Sequence, residues 1–115
     1  MLIQIMKSKI HRVTITEANI NYIGSITIDP ALMKAANMIS GEKVQVLNLT
    51  NGERLETYVI EGEQQGQIGI NGPAALKMKE GHIVIIVAYA FLEQSLANNY
   101  SPTIIFPNEE TNLIN

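Results

Sequence analysis

Short runs in which hydrophobic and polar residues alternate recur along the chain and predict a mainly β fold. The clearest example is the segment VQVLNLTNGERLETYVIEGE, where Asn51 and Gly52 separate two alternating runs. Because Asn-Gly readily supplies the positive φ angles of a tight turn, this segment predicts a β-hairpin. Alternation gives the second strand two faces, one with Arg54, Glu56 and Tyr58 and the other with Leu55, Thr57 and Val59.

Another strand is predicted near the N-terminus, in the segment KIHRVTITEA. One face of this strand is polar at the start and apolar afterwards, which is typical of the rim of a barrel. That face would carry Lys9, His11, Val13 and Ile15, and the opposite face would carry Ile10, Arg12 and Thr14.

Two short helices are predicted, and each is followed by a glycine and then a strand. The first, in PALMKAANMIS, has Asp29 as its N-cap, Pro30 in its first turn and Gly41 at its end. The second, in PAALKMKEG, ends at Gly81, 40 residues after Gly41. This repeated order of helix, glycine and strand favours a barrel of two related halves. Apolar residues at helical spacing in the first helix are Leu32, Ala35, Ala36 and Ile39.

The composition indicates one globular domain. A chain of 115 residues, 46% hydrophobic and 17% charged, can form a single modest core. The absence of cysteine excludes disulfides, zinc–thiolate sites and thiol nucleophiles. The longest apolar run, IVIIVAYAFL, is shorter than the ~20 residues needed to cross a bilayer, and the first residues do not have the pattern of a signal peptide. We therefore expect a soluble, cytoplasmic protein without a membrane partner.

The charge distribution argues against nucleic acid as a partner, because the net charge is −3. Lys7, Lys9 and Arg12 nevertheless crowd the first predicted strand, where they form either a solvated face or a site for a small anion. The sequence shows no metal-binding cluster, phosphate loop or dinucleotide fingerprint. A last strand is predicted at 103–106, followed by a polar tail that is either frayed or used in a subunit contact.

The pair Gly24 and Ser25 interrupts a run rich in β-branched residues, NYIGSITID, and permits two interpretations. Glycine inside a strand commonly marks a bend or a bulge. Alternatively, the pair is a site of self-cleavage, at which the Ser25 hydroxyl attacks the carbonyl carbon of Gly24 and the resulting ester breaks by β-elimination. The missing Cβ of Gly24 would permit the strained backbone that this attack needs.

Four motifs, spread over most of the chain, bear on the choice between these interpretations. They are Lys9-x-His11-Arg12-Val13-Thr14, Tyr22-x-Gly24-Ser25, Thr50-Asn51-Gly52-x-Arg54-x-x-Thr57-Tyr58 and Asn71-Gly72-x-Ala74-Ala75. Each motif is weak alone. In this order, and nearly at this spacing, they make the chain resemble the pyruvoyl-dependent aspartate 1-decarboxylase family.

The resemblance implies a double-psi β-barrel that assembles as a homotetramer with active sites at subunit interfaces. It implies that the domain, residues 1–115, cuts itself between Gly24 and Ser25 into a β chain, 1–24, and an α chain, 25–115. The cofactor would be a covalent pyruvoyl group derived from Ser25, which forms a Schiff base with the substrate. The implied reaction is decarboxylation of L-aspartate to β-alanine and CO2, in the biosynthesis of pantothenate.

The same resemblance assigns roles to residues at matching positions. Ser25 would become the cofactor, and Tyr58 would donate a proton to the decarboxylated intermediate. Thr57 would stabilise the oxyanion formed in self-cleavage and afterwards line the substrate site. Lys9 and Arg54 would bind the two substrate carboxylates, in an order that stays open. Further substrate contacts are implied for Asn71, Gly72, Pro73 and Ala74, and supporting roles for His11 and Tyr22.

Some features depart from the family pattern, and two other functions stay open. Pro73 stands where a small residue is common, Leu47 stands where some members have an aromatic residue, and the QQGQIGING loop is slightly shorter. His82 enters an apolar strand and is expected to be structural. One alternative is a non-catalytic interaction module, since small barrels of this kind also have that role. The other is a pyruvoyl decarboxylase for another amino acid, which would not need two cations.

Overall fold

The computed structural model describes residues 1–114 and confirms the predicted mainly β fold. No helix in this part of the chain is long and apolar enough to span a membrane. The elements, in chain order, are β1 (Leu2–Thr14), β2 (Glu17–Asn19), β3 (Ser25–Ile28), α1 (Pro30–Ala35), β4 (Lys43–Asn48), β5 (Arg54–Glu61), β6 (Ile68–Asn71), a 3₁₀ helix (Gly72–Leu76), β7 (Ile83–Glu93), α2 (Gln94–Ala97) and β8 (Thr103–Ile105).

These strands form one mixed sheet in the order β2-β6-β3-β5-β4-β7-β1-β8. β1 continues towards β2 through Ile15 and Thr16, whose backbone N–H groups donate to His82 O at 2.9 Å and to Ile68 O at 2.8 Å. One long, bent segment therefore pairs with β7 at its start and with β6 at its end. This continuity closes the sheet into a small barrel, with β8 added in parallel beside β1.

Aliphatic side chains fill the interior of the barrel, because alternate residues of each strand point inwards. In β4, for example, Val44 and Val46 are buried, whereas Lys43 and Gln45 are not. Burial of one such side chain contributes roughly 1.5–3 kcal/mol, so this core is the main source of stability. The largest side chains that are completely buried are Ile10, Val13, Ile15, Ile26, Ile28, Leu32, Val44, Val46, Ile68, Ile70, Met78 and Ile86.

The two predicted repeats meet in the wall of the barrel, where their strands β4 and β7 pair with each other. Val46 lies directly opposite Ile86 in this antiparallel pair. These two residues are 40 apart in sequence, which is also the spacing of Gly41 and Gly81. Both glycines have positive φ, and the N–H of each donates to a carbonyl oxygen of an adjacent segment at 2.8 Å. The two repeated segments therefore place equivalent strands side by side in the wall, as two related halves would.

The predicted hairpin of β4 and β5 is confirmed, although its turn is wider than two residues. Asn48 N donates to Glu53 O at 2.8 Å, which closes a loop of the four residues between them. Gly52 has a positive φ of 78°, whereas the φ of Asn51 is negative. The Asn51 side chain instead accepts from Glu53 N at 2.9 Å. The alternation predicted for β5 is also confirmed, because burial alternates along the strand.

The regular alternation predicted for β1 is wrong, because a β-bulge interrupts the strand. Arg12 has a positive φ of 67°, and the pairing with β7 changes register between Ile10 and Val13. The extra residue turns both Ile10 and Val13 into the core, although regular alternation places them on opposite faces. Arg12 Nη2 reaches Glu109 Oε1 at 2.8 Å.

The first helix begins as predicted but ends earlier. Asp29 is the N-cap, since its Oδ1 accepts from the backbone N–H two residues later at 2.9 Å. The helix ends at Ala35, and the chain then turns so that Met38 is buried and Ile39 is 69% exposed. The predicted place of Ile39 on the apolar side of the helix is therefore wrong, because Ile39 lies beyond the helix end. The second predicted helix is a single 3₁₀ segment, Gly72–Leu76.

The polar tail folds back on the barrel, so the prediction of fraying is wrong for residues 108–113. Asn112 is 1% exposed. Its Nδ2 donates to Thr14 O at 2.7 Å and to Gly66 O at 2.8 Å, and its Oδ1 accepts from Thr14 N at 2.8 Å. The tail therefore ties β1 to the loop before β6. Residue 115 lies outside the described residues, and a subunit contact of the tail stays a prediction.

Candidate active site

The Gly24–Ser25 peptide bond lies at the start of a strand. Because β3 begins at Ser25, Gly24 is the last residue of the preceding loop and not a bulge within a strand. Ser25 is 1% exposed and lies opposite Asn71 of β6. Its Oγ donates to Ile23 O at 3.0 Å and accepts from Asn71 Nδ2 at 3.0 Å. The serine hydroxyl is therefore held in one orientation beside the peptide bond that precedes it.

The Asn71-Gly72-Pro73 segment packs directly against this peptide bond. Gly72 has a positive φ of 71°, and a Cβ on it would lie 2.7 Å from Gly24 Cα and 3.0 Å from Gly24 N. Only glycine permits this approach of two backbones. On the other side, a Cβ on Gly24 would lie 3.6 Å from Pro73 Cδ, which is an ordinary contact. Pro73 therefore fits this wall without a clash with Gly24.

A cleft of about 450 Å³ lies beside the same peptide bond. β5 runs parallel to β3 with Val59 opposite Ile26, so Thr57 and Tyr58 come just before the paired region, at the level of Gly24. Tyr58 is 38% exposed. The cleft thus brings the predicted cleavage position together with Thr57, predicted to assist self-cleavage, and Tyr58, predicted to donate a proton to the decarboxylated intermediate. It is lined by Gly24, Leu55, Glu56, Thr57, Tyr58, Asn71, Pro73, Ala74 and Lys77.

Two ion pairs set the charge at the edge of this cleft. Lys43 Nζ lies 2.6 Å from Glu56 Oε2, and Lys77 Nζ lies 3.4 Å from Glu53 Oε2. The hydrogen bond from Lys43, together with its positive charge, lowers the pKa of Glu56. Both pairs are largely exposed, so solvent and salt screen them. Glu56 stays ionised at neutral pH with its charge compensated.

Three predicted site residues lie away from this cleft in the same chain. Arg54 lines a separate cleft with Leu47. Lys9 belongs to β1 and is not among the residues that line this cleft. His11 is on the same strand, and its ring meets the ring of Phe106 edge-on with centroids 5.4 Å apart. A single chain therefore does not bring these three side chains to the Gly24–Ser25 bond.

Two further residues singled out in the sequence are Tyr22, with a predicted supporting role, and His82, expected to be structural. Tyr22 is 51% exposed and lines a further cleft that shares Asn71 with the first one. His82 Nδ1 accepts from Asn48 Nδ2 at 2.9 Å and from Lys79 N at 3.2 Å. These contacts close the turn before β7, in agreement with the structural role expected for His82.

Similarity to known proteins covers the whole of this architecture. The model of the aspartate decarboxylase family matches residues 1–114. The chain is 56% identical over 115 residues to the aspartate 1-decarboxylase of Christiangramia forsetii, with 99% of each chain covered. It is 55% identical over 115 residues to that of Cytophaga hutchinsonii, which covers 99% of this chain and 100% of the relative. It is 53% identical over 113 residues to that of Campylobacter fetus, with 98% of each covered.

This chain belongs to the aspartate decarboxylase family. The membership confirms the resemblance carried by the four motifs, and with it the enzyme class, because the relatives are named as enzymes. It speaks against the non-catalytic interaction module. The cleft beside Gly24 and Ser25 is therefore the candidate active site.

Two residues in or beside the candidate site were missed by sequence reasoning. Lys77 adds a positive charge to the cleft, although the sequence only marked it as part of a short helix. Thr27, two residues beyond Ser25, accepts a hydrogen bond from Asn71 Nδ2 at 2.9 Å. Neither contact could be predicted from neighbouring residues in the sequence, because each depends on which segments pack beside β3 in the fold.

Proposed function

We propose that this chain converts L-aspartate to β-alanine and CO2 in the biosynthesis of pantothenate, with a pyruvoyl group that it makes from its own Ser25. One observation carries the proposal. In a chain of the aspartate decarboxylase family, the Gly24–Ser25 bond borders a cleft that also holds Thr57 and Tyr58. If Gly24 and Ser25 only formed a bend in the chain, the hydroxyl groups of Thr57 and Tyr58 would not be needed in the cleft beside them.

The proposed self-cleavage begins at the Ser25 hydroxyl. Oγ attacks the carbonyl carbon of Gly24, the Gly24–Ser25 C–N bond breaks, and the hydroxyl proton passes to the released amine. β-Elimination then removes the α-proton of Ser25 and breaks its Cβ–Oγ bond, which frees Gly24 as a carboxylic acid. Water hydrolyses the dehydroalanine that remains, and ammonia leaves as the ketone forms. These steps need no oxidant and no added cofactor.

The residues around Ser25 fit this chemistry. Asn71 Nδ2 holds Oγ, and the missing side chain of Gly24 leaves the carbonyl carbon open on the cleft side. Thr57 lines the same cleft at the level of Gly24, where its hydroxyl can donate to the oxyanion that develops there. The buried position of Ser25 excludes competing water from Oγ.

The pyruvoyl carbonyl, once made, supplies the electron sink for loss of the α-carboxylate. Tyr58 lines the cleft and is partly exposed, so its phenol can give a proton to the α-carbon and be reprotonated from solvent. At the start of the 3₁₀ helix, the Gly72 N–H precedes the first bond of the helix and can donate to an anionic substrate, whereas Pro73 has no N–H. Lys77 adds a positive charge that suits a substrate with two carboxylates.

We further propose that the enzyme is a cytoplasmic homotetramer whose sites are completed between subunits. Lys9 and His11 lie on β1, and neither lines the cleft of its own chain. Arg54, at the start of β5, lines a separate cleft. A neighbouring subunit is a simple way to bring such cations to the substrate. Exposed apolar side chains suited to subunit contacts include Leu2, Phe91, Leu96 and Phe106.

The first experiment measures the intact mass of the denatured protein, with and without a carbonyl-reactive hydrazine. We expect two fragments that divide between Gly24 and Ser25, with one trappable carbonyl on the larger fragment, and CO2 release from L-aspartate. Ser25→Ala should remain a single chain. A wild-type chain that stays whole near 12.7 kDa after long incubation would contradict self-cleavage.

The second experiment tests the shared site by co-expression of two inactive variants, Lys9→Ala and Tyr58→Phe. If the two residues serve one site from different subunits, mixed oligomers contain sites with both native residues, and activity returns. If both residues act within one chain, every site in the mixture lacks one of them. Mixed oligomers without activity would therefore overturn the shared site but not the decarboxylase function.

A further inference from the structure

A hydrogen-bonded chain runs behind the cleavage position and ends at Thr27. Asn71 Nδ2 donates to Ser25 Oγ at 3.0 Å and to Thr27 Oγ1 at 2.9 Å. Ser25 Oγ donates in turn to Ile23 O at 3.0 Å. Both amide protons of Asn71 are therefore used, one on each hydroxyl oxygen.

The direction of this chain follows from the single proton of Ser25. Because Ser25 gives that proton to Ile23 O, its Oγ can only accept from Asn71. Asn71 must then present its nitrogen to Ser25, and the second proton on that nitrogen points at Thr27. Thr27 is thus the acceptor that keeps the Asn71 amide in this orientation.

The surroundings of Thr27 hold it in place for this role. Thr27 is 9% exposed, Asn71 is 4% exposed and Ser25 is 1% exposed, so water competes little for these bonds. Two glycines crowd the threonine. A Cβ on Gly69 would lie 3.2 Å from Thr27 Cβ, and one on Gly62 would lie 3.0 Å from Thr27 Cγ2.

We infer that Thr27 is a positioning residue for self-cleavage, which it serves by fixing the Asn71 amide that holds the Ser25 nucleophile. This inference rests on the proposed function. Without an acceptor at position 27, one amide proton of Asn71 is buried without a partner. Rotation of the Asn71 amide relieves that cost by presenting Oδ1 to Ser25. The Ser25 hydroxyl then donates to Asn71 instead of to Ile23 O, so the lone pairs of Ser25 Oγ no longer point in their native directions.

The test compares the rate of cleavage of the precursor in four full-length variants. Thr27→Val keeps the shape and removes the acceptor, Thr27→Ala removes it without β-branching, and Thr27→Ser keeps the hydroxyl. Thr14→Val is the matched control, because Thr14 Oγ1 makes one hydrogen bond, to Glu109 O at 2.6 Å, in the distant tail. Precursor is collected after a short induction, and intact masses are followed with time alongside circular dichroism and thermal unfolding.

We expect Thr27→Val and Thr27→Ala to cleave about tenfold more slowly or worse, as the loss of one buried hydrogen bond predicts. Thr27→Ser should restore a rate near that of wild type, and Thr14→Val should lower the unfolding temperature without slowing cleavage. If Thr27→Val does not fold, Thr27→Ala decides. A folded Thr27→Ala variant that cleaves at the wild-type rate would overturn the inference. A wild-type chain that never cleaves would instead overturn the proposed function.

Discussion

A side chain on Gly72 would clash with the backbone of Gly24, since a Cβ on Gly72 would lie 2.7 Å from Gly24 Cα. The atom in the way is backbone, so it cannot rotate aside. We therefore expect Gly72→Ala to push the Gly24–Ser25 bond out of position and to slow or prevent its cleavage. Intact-mass measurements over time check this expectation.

Gly52→Ala is the matched control for that variant. Gly52 has a similar positive φ of 78°, but a Cβ there would meet nothing within 4 Å. Its substitution should cost only the strain of a left-handed alanine, about 1–2 kcal/mol, and leave cleavage unchanged. Equal cleavage rates in both variants would show that the close approach of the two glycines has no role.

Tyr58→Phe is expected to separate self-cleavage from decarboxylation. The ring still fills its place in the cleft, so the precursor should cleave normally, but the phenolic proton is lost. CO2 release from L-aspartate should fall by ~10²-fold or more, the usual effect of removing a general acid. Tyr89→Phe, which removes a hydroxyl bonded to Gln45 Oε1, is the control and should stay active. Full turnover in Tyr58→Phe would exclude this tyrosine as the proton donor.

Asn112→Ala should destabilise the barrel from its C-terminal tail. The variant loses three hydrogen bonds, which leaves the buried Gly66 carbonyl and the half-buried backbone groups of Thr14 without these partners. We expect the free energy of unfolding to fall by about 2–4 kcal/mol, measured by denaturant titration. The exposed Asn99→Ala is the comparison. A change of the same size in both would mean that the tail is not a structural tie.

Lys43→Met should raise the pKa of Glu56 towards its ordinary value, because the hydrogen bond and charge of Lys43 are what lower it. The lowered folded pKa means that the pair adds stability above the ordinary carboxyl pKa, and that this stability is lost as the pH falls through the lowered value. The carboxyl carbon resonance of Glu56, followed against pH, measures the shift. Lys34→Met should leave the titration of Glu56 where it is.

Local signals predicted the parts of this fold that depend on neighbours in sequence. The cap at Asp29 and the hairpin around Gly52 each need only a few adjacent residues, and both are present. The bulge at Arg12 could not be predicted in this way, because it reflects how β1 fits the long strand β7. Ile39 was misplaced because the helix ends early, which depends on how Met38 packs into the core.

The candidate site likewise has parts that the sequence motifs predict and parts that depend on tertiary packing. The motifs identified Gly24, Ser25 and Thr57, but which side chain supports which is set by tertiary pairing. Asn71 lies opposite Ser25 and reaches Thr27 diagonally only because β6 lies antiparallel to β3 in one register. No local pattern in either segment specifies that register, so the hydrogen-bonded chain behind Ser25 became visible only in the structure.

The long pairing of β1 with β7 changes what a cut at Gly24 would mean for the molecule. Residues 1–24 contain all of β1 and β2, and they supply Ile10, Val13 and Ile15 to the core. The mature protomer would be a heterodimer of two fragments held by strand insertion, so its complete unfolding would also be a dissociation. Its denaturation midpoint would then rise with protein concentration. The uncut precursor can refold its barrel within one chain. After cleavage, the two fragments must first associate, so at high dilution an unfolded protomer would not refold.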